Sequence, residues 1–135
     1  REAYARLKTK ECAWTGRSLT ESFDVDHVIP FILWRNNDLW NLLPAHPSVN
    51  NSKRDLLPSR SLLSRRRTCI IDYWEYVRSL HPRRFDFEVG RLTGARTFPA
   101  GWQSIAFASL AEAIEITALQ QGLQRWDPQA ASKRA

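Results

Sequence analysis

The sequence predicts an α+β fold, and three observations carry that reading. Phe23 to Val28 alternates Phe and Val with Asp, the period of a short half-buried strand. Asn41 to Leu43 reads as a second short strand stopped by Pro44, after which Pro47-Ser48 can open a short helix reaching about Asp55. From Ser59 onward the apolar residues recur at helical spacing. Two strands and a short helix therefore come first, and longer helices follow.

Taken in order, Ala3, Tyr4 and Leu7 fit the end of a helix, and Thr15-Gly16-Arg17-Ser18 is a turn signal. Pro30 ends the first strand, and residues 31–40, with Asn36-Asn37-Asp38, read as a loop. Ser59 opens a longer helix with one stripe of Leu62, Leu63, Ile70, Tyr73, Trp74, Val77 and Leu80, which Pro82 closes. Residues 83–93 alternate at Phe85, Phe87 and Val89, yet Phe85, Val89 and Leu92 also suit a helix, the reading preferred here. Gly94 to Gly101 is a loop. Trp102 to about Trp126 is an amphipathic helix with Ile105, Leu110, Ile114 and Thr117 turned inward, ended by Asp127-Pro128. Residues 128–135 read as a polar tail.

The chain has 135 residues, enough for one modest core. No apolar run approaches the length of about 20 residues that a membrane span needs, so no membrane partner is expected. The formal charge is +6, and sixteen of the twenty basic residues are arginine. Such a domain suits a polyanionic partner, because each neutralised phosphate releases counterions. Cys12 and Cys69 make no disulfide framework, which fits a reducing, cytoplasmic compartment. Methionine is absent, so Arg1 is not a translation start, and the chain is expected to be a piece of a larger polypeptide.

The chemistry concentrates in Asp26-His27, in Asn41 fourteen residues later, and in Asn50 nine after that. An imidazole can take a proton from water near neutral pH. Carboxylate and amide oxygens are hard ligands for Mg²⁺ or a similar cation. Together they meet the needs of phosphodiester hydrolysis with one divalent metal. An isolated Asp-His pair is ordinarily a core histidine satisfied by its neighbour. The ordered set weighs against that reading.

In Asp26-His27-Val28-Ile29-Pro30, Asn41-Leu42 and Asn50-Asn51-Ser52-Lys53 the chain resembles the HNH endonucleases, over about Glu11 to Ser59. Residues 50–59 are also similar to the HNH module of CRISPR nucleases. The resemblance implies a ββα-metal HNH core with additional C-terminal helices. It implies a single nuclease domain over 1–127, with its core at about 11–59 and a helical extension at about 60–126. It assigns Asp26 and Asn50 as metal ligands and His27 as general base. Asn41 holds the loop that aims the His27 ring, and Lys53 faces a phosphate oxygen. Cleavage is expected to leave 5′-phosphate and 3′-hydroxyl ends. Arg54, Arg65, Arg66 and Arg67 are expected phosphate contacts, which position a substrate without reading its bases. Asp24 is read as a support for Lys or Arg rather than a third ligand, and His46 as a core residue.

Many HNH domains carry two Cys-x-x-Cys pairs for zinc. Here those positions read Cys12 and Thr15, then His46 and Val49, so no structural zinc is expected. The expected cofactor is Mg²⁺ or Mn²⁺ and the expected partner is DNA, with a fused or associated target-recognition module. The setting implied is a bacterial or phage restriction, defence or CRISPR-type system. A non-catalytic nucleic-acid-binding module and a bacteriocin-type nuclease toxin are the alternatives.

Overall fold

A computed structural model describes residues 1–129; the rest of the expected polar tail, residues 130–135, lies outside the described residues. The elements run α1 (Glu2–Ala5), β1 (Asp24–His27), α2 (Phe31–Trp34), a 3₁₀ turn (Leu39–Asn41), β2 (Leu42–Ala45), α3 (Pro47–Lys53), β3 (Leu57–Pro58), α4 (Arg60–Leu80), α5 (Pro82–Thr93), α6 (Trp102–Gln121) and β4 (Arg125–Trp126). The fold is α+β, a ββα unit followed by helices.

β1 and β2 form an antiparallel pair in the register Asp24↔Ala45, Val25↔Pro44, Asp26↔Leu43 and His27↔Leu42. Pro44 therefore lies inside β2 and does not stop it. The Pro44 carbonyl accepts from the Ala13 N–H at 2.9 Å, on the side away from β1. A strand residue's N and C=O point to the same side, so the missing N–H of Pro44 removes nothing from the β1 ladder. The Ala13 segment is itself closed by a turn at Gly16, whose φ is 77°. A Cβ there would come within 3.1 Å of the Arg66 guanidinium.

The stretch expected as a plain loop, 31–40, holds α2 and most of the 3₁₀ turn. Phe31, Ile32 and Trp34 stay exposed there, so burial left no periodic signal to read. α3 starts where Pro47 occupies its first turn, with His46 as N-cap accepting from the Ser48 N–H at 3.2 Å. His46 is thus a half-buried capping residue and not a core one.

Ser59 caps α4 through its hydroxyl, which accepts from the Leu62 N–H at 3.1 Å. Pro82 ends α4 and opens α5, so 83–93 is helix. α6 ends at Gln121 because Gly122 takes the left-handed conformation there, with φ 63°. The helix expected to reach Trp126 is shorter for that reason. Residues 125–126 instead form β4, parallel to β3. The buried face of α6 is Trp102, Ala106, Leu110, Ile114, Thr117 and Ala118, stepping mostly by four. Ile105 falls about 100° from that row and is 46% exposed, contrary to expectation.

One hydrophobic core runs from Tyr4 to Trp126 and joins the ββα unit to the helices. Trp74 of α4 is its hinge point. The ring is fully buried, its indole N–H donates to the Trp40 carbonyl at 2.9 Å, and it stacks near Trp102 of α6. Replacing Trp74 with Ala should destabilise the chain by about 3–5 kcal/mol. Urea denaturation followed by circular dichroism measures this, and a loss under about 1 kcal/mol would refute the joint role.

Candidate active site

The site is a consequence of two periodicities meeting. Asp24 and Asp26 are two apart on β1, so both carboxylates share one face of the strand. Asn50 and Lys53 are three apart on α3, so both share one face of the helix. The faces oppose each other. Asn50 Nδ2 donates to Asp24 Oδ2 at 3.0 Å, and Lys53 Nζ lies 3.2 Å from Asp26 Oδ2. Asp24 thus holds an amide, where a basic side chain was expected.

Lys53 does not face the open cavity. Its side chain is completely buried, donates to the His27 carbonyl at 2.8 Å, and lies over the Trp14 ring. The reason is geometric: one turn after Asn50 points it at the strand, and Asp26 is there to neutralise it. Asp26 also accepts the Trp14 indole N–H at 2.8 Å. Burial pushes the Asp26 carboxyl up from its ordinary range, opposed first by the Lys53 ammonium and then by the Trp14 N–H. Burial likewise pushes the Lys53 amine down, and the Asp26 carboxylate pulls it back.

Asn41 is fully buried and uses its whole carboxamide. Its Oδ1 accepts from the Ile29 N–H at 2.8 Å, and its Nδ2 donates to the Ile29 and Asn36 carbonyls at 3.1 and 3.0 Å. That closes the segment from 29 to 36 beside the end of β1. His27 sits there half-exposed, its ring 5.7 Å from the Phe31 ring and its Nε2 2.7 Å from Asn37 Oδ1.

Asp26, His27, Asn50 and Arg54 line one cavity of about 510 Å³, with Asn51, Asp55, Val25 and the apolar lip Pro30, Phe31 and Ile32. Arg54 follows α3 in an unusual backbone conformation, φ 52°, and is exposed. The other three arginines are engaged elsewhere. Arg65 bonds both Asp127 oxygens at 2.8 and 2.9 Å. Arg66 grips the Ala13 carbonyl at 2.7 Å and Glu11 at 2.8 Å. Arg67 bonds Ser104 at 3.0 Å and lies over Phe107. Each thus finds an acceptor on a segment packed against α4; Arg65 and Arg66 are answered by carboxylates, and Arg67 by a neutral hydroxyl.

A divalent cation would fit two unengaged oxygens. Among the described residues neither Asp26 Oδ1 nor Asn50 Oδ1 takes part in a hydrogen bond. The one fully buried side-chain polar atom without a partner there is Trp126 Nε1, so Asp26 Oδ1 is open to solvent. No group of three or more His, Cys, Asp or Glu is placed to hold a metal among the described residues. The donor set is therefore one carboxylate and one amide, which suits an ion that keeps several waters and takes phosphate oxygens.

Trp14, Asp24 and Asn37 are site residues that the motif alone did not single out. The Asp24/Asp26 alternation was a usable signal for the first carboxylate. Nothing local in the sequence pointed to Trp14 or Asn37, which arrive from other segments.

Residues 12–59 match the family model for HNH endonucleases, a little over a third of the chain. Over these residues the chain is similar to the HNH endonucleases. Comparison with curated proteins and with solved structures finds no match.

Removing the buried cation should expose the strength of the pairing. Lys53→Met leaves Asp26 without its partner and should destabilise the chain by about 3–5 kcal/mol. Adding Asp26→Asn to the same chain should recover part of that in urea denaturation. A single-variant loss of only about 0–1 kcal/mol, the scale of an exposed pair, would contradict the burial described.

Proposed function

We propose that the chain is a single, metal-dependent endonuclease domain over 1–127 that hydrolyses DNA phosphodiester bonds. One observation carries the reading: Asp26, His27, Asn50 and Arg54, from a strand and a helix far apart in sequence, line the same cavity. His27 accepts a proton from the attacking water. Asp26 and Asn50 would hold Mg²⁺ or Mn²⁺. When bound, such an ion neutralises charge on the phosphorus centre and on the departing oxygen. Asn41 keeps the 29–36 segment closed, so the backbone beside His27 stays in place. Lys53 acts from below, fixing the Asp26 carboxylate and the His27 carbonyl, and Arg54 meets the phosphate backbone at the rim.

The matched family and the basic composition support nucleic acid as substrate. Base-reading is assigned to a fused or associated target-recognition module, in a restriction, defence or CRISPR-type assembly. Two free cysteines, Cys12 and Cys69, support a cytoplasmic setting. Among the described residues no helix is long and apolar enough to cross a membrane.

A second reading, a DNA-binding module without catalysis, has one observation in its favour. Lys53 already neutralises Asp26, as a cation would. Plasmid nicking with Mg²⁺ or Mn²⁺ decides between the two. His27→Ala should lose about 10²–10⁴-fold in cleavage rate while fold and DNA affinity persist, and chelation should abolish cleavage. Equal rates for the parent chain and His27→Ala would end the enzyme reading.

The arginines separate in the salt dependence of DNA binding. Arg54→Ala should reduce the slope of log K against log salt by about one. Arg66→Ala should leave that slope unchanged and lower stability. The opposite pattern would return the phosphate contacts to α4.

A further inference from the structure

We propose that Asn37 is a positioning residue that fixes the tautomer of His27, leaving Nδ1 as the nitrogen that accepts the proton. The proposal rests on the reading of His27 as general base. Asn37 Oδ1 lies 2.7 Å from His27 Nε2. An amide oxygen carries no proton, so in the neutral ring Nε2 must be the N–H and Nδ1 the free acceptor. Among the described residues Nδ1 has no hydrogen-bond partner.

The carboxamide can do this because its segment is held from both sides. Asn41 Nδ2 grips the Asn36 carbonyl at 3.0 Å on one side. From α5, Arg91 bonds Asp38 at 3.0 and 3.2 Å, Glu88 accepts the Leu39 N–H at 2.9 Å, and Arg84 reaches the Asn37 carbonyl at 3.4 Å. Asn36 and Asp38 close on each other through the Asp38 N–H at 2.8 Å. The helical extension thereby sets the ring of a residue on the ββα unit.

Asn37 is exposed, so Asn37→Ala removes no packing and should fold. Nitrogen-15 NMR of the imidazole, with His27→Ala used to identify its signals, reads the ring directly. The parent chain should show a protonated Nε2 and a bare Nδ1 in the neutral ring. Asn37→Ala should mix the tautomers and lower kcat about 10–100-fold with KM little changed. Asn37→Asp, which keeps an acceptor, should restore both the signature and most of the rate. An Nδ1–H ring in the parent chain, or an unchanged ring in Asn37→Ala, would overturn the proposal. The ring measurement needs neither substrate nor cation, so a parent chain that cleaves nothing would sink the nuclease reading alone.

Discussion

Asp26 and Lys53 leave water together, and the rest of the site depends on that. Removing either ion from solvent alone costs several kcal/mol, so each can be buried only while the other stays within reach. At 3.2 Å the pair fixes the distance between β1 and α3. The same ammonium bonds the His27 carbonyl, and the same carboxylate takes the Trp14 indole N–H. One cation thus sets the strand end, the helix and the segment before Gly16 relative to each other. Asn50, one turn back on α3, is then held opposite Asp24.

This arrangement explains why some features were legible in the sequence and others were not. The strand alternation at 23–28, the Ser59 cap and the Pro82 boundary are local signals, and local physics decides them. Asn41 and Asn50 were legible because their spacing from His27 is a pattern of residue types. The side Lys53 faces was not legible. Motif spacing places it one turn after Asn50, but whether that face meets solvent or strand depends on how α3 packs. Pro44 misled for a related reason, since the harm of a missing N–H depends on which side of the strand it faces. Gly122 is a local signal that a longer run of apolar residues masked. Ile105 shows that an apolar residue near a buried row can still lie outside it.

The helical extension bears on the site by two routes. The Trp74 indole N–H holds the Trp40 carbonyl from below, in the turn that leads into Asn41. α5 holds Asp38 and Leu39 through Arg91 and Glu88. Burial pushes the Glu88 carboxyl up, while the Leu39 N–H and Arg84 favour its ionised form. Both routes converge on the segment between α2 and β2, the least periodic part of the ββα unit. That segment anchors itself in the core through Trp40 and Leu39 alone, and polar contacts from α4 and α5 add to its order. An extension that looked like a separate helical layer in the sequence is, in these contacts, the support of the loop facing His27.

The arginine-rich composition suggested a polyanionic partner, and the structure changes what that composition means. Arg65, Arg66, Arg78, Arg84, Arg91 and Arg125 each pair with a carboxylate of the chain. A guanidinium suits these ties because its planar fork can bond two acceptors at once. Their charge is largely answered within the fold, so the net positive charge has to be expressed by residues outside these pairs. Arg54 and Arg67 are such residues among those assigned to nucleic acid; Arg67 bonds the Ser104 hydroxyl on α6, whereas Arg54 lines the cavity that Asp26, His27 and Asn50 share. A single cation at the rim steers a phosphate toward the site without fixing which sequence carries it. Affinity for a long polyanion would then have to come from surface beyond this cavity, whereas the placing of one linkage belongs to the cavity itself.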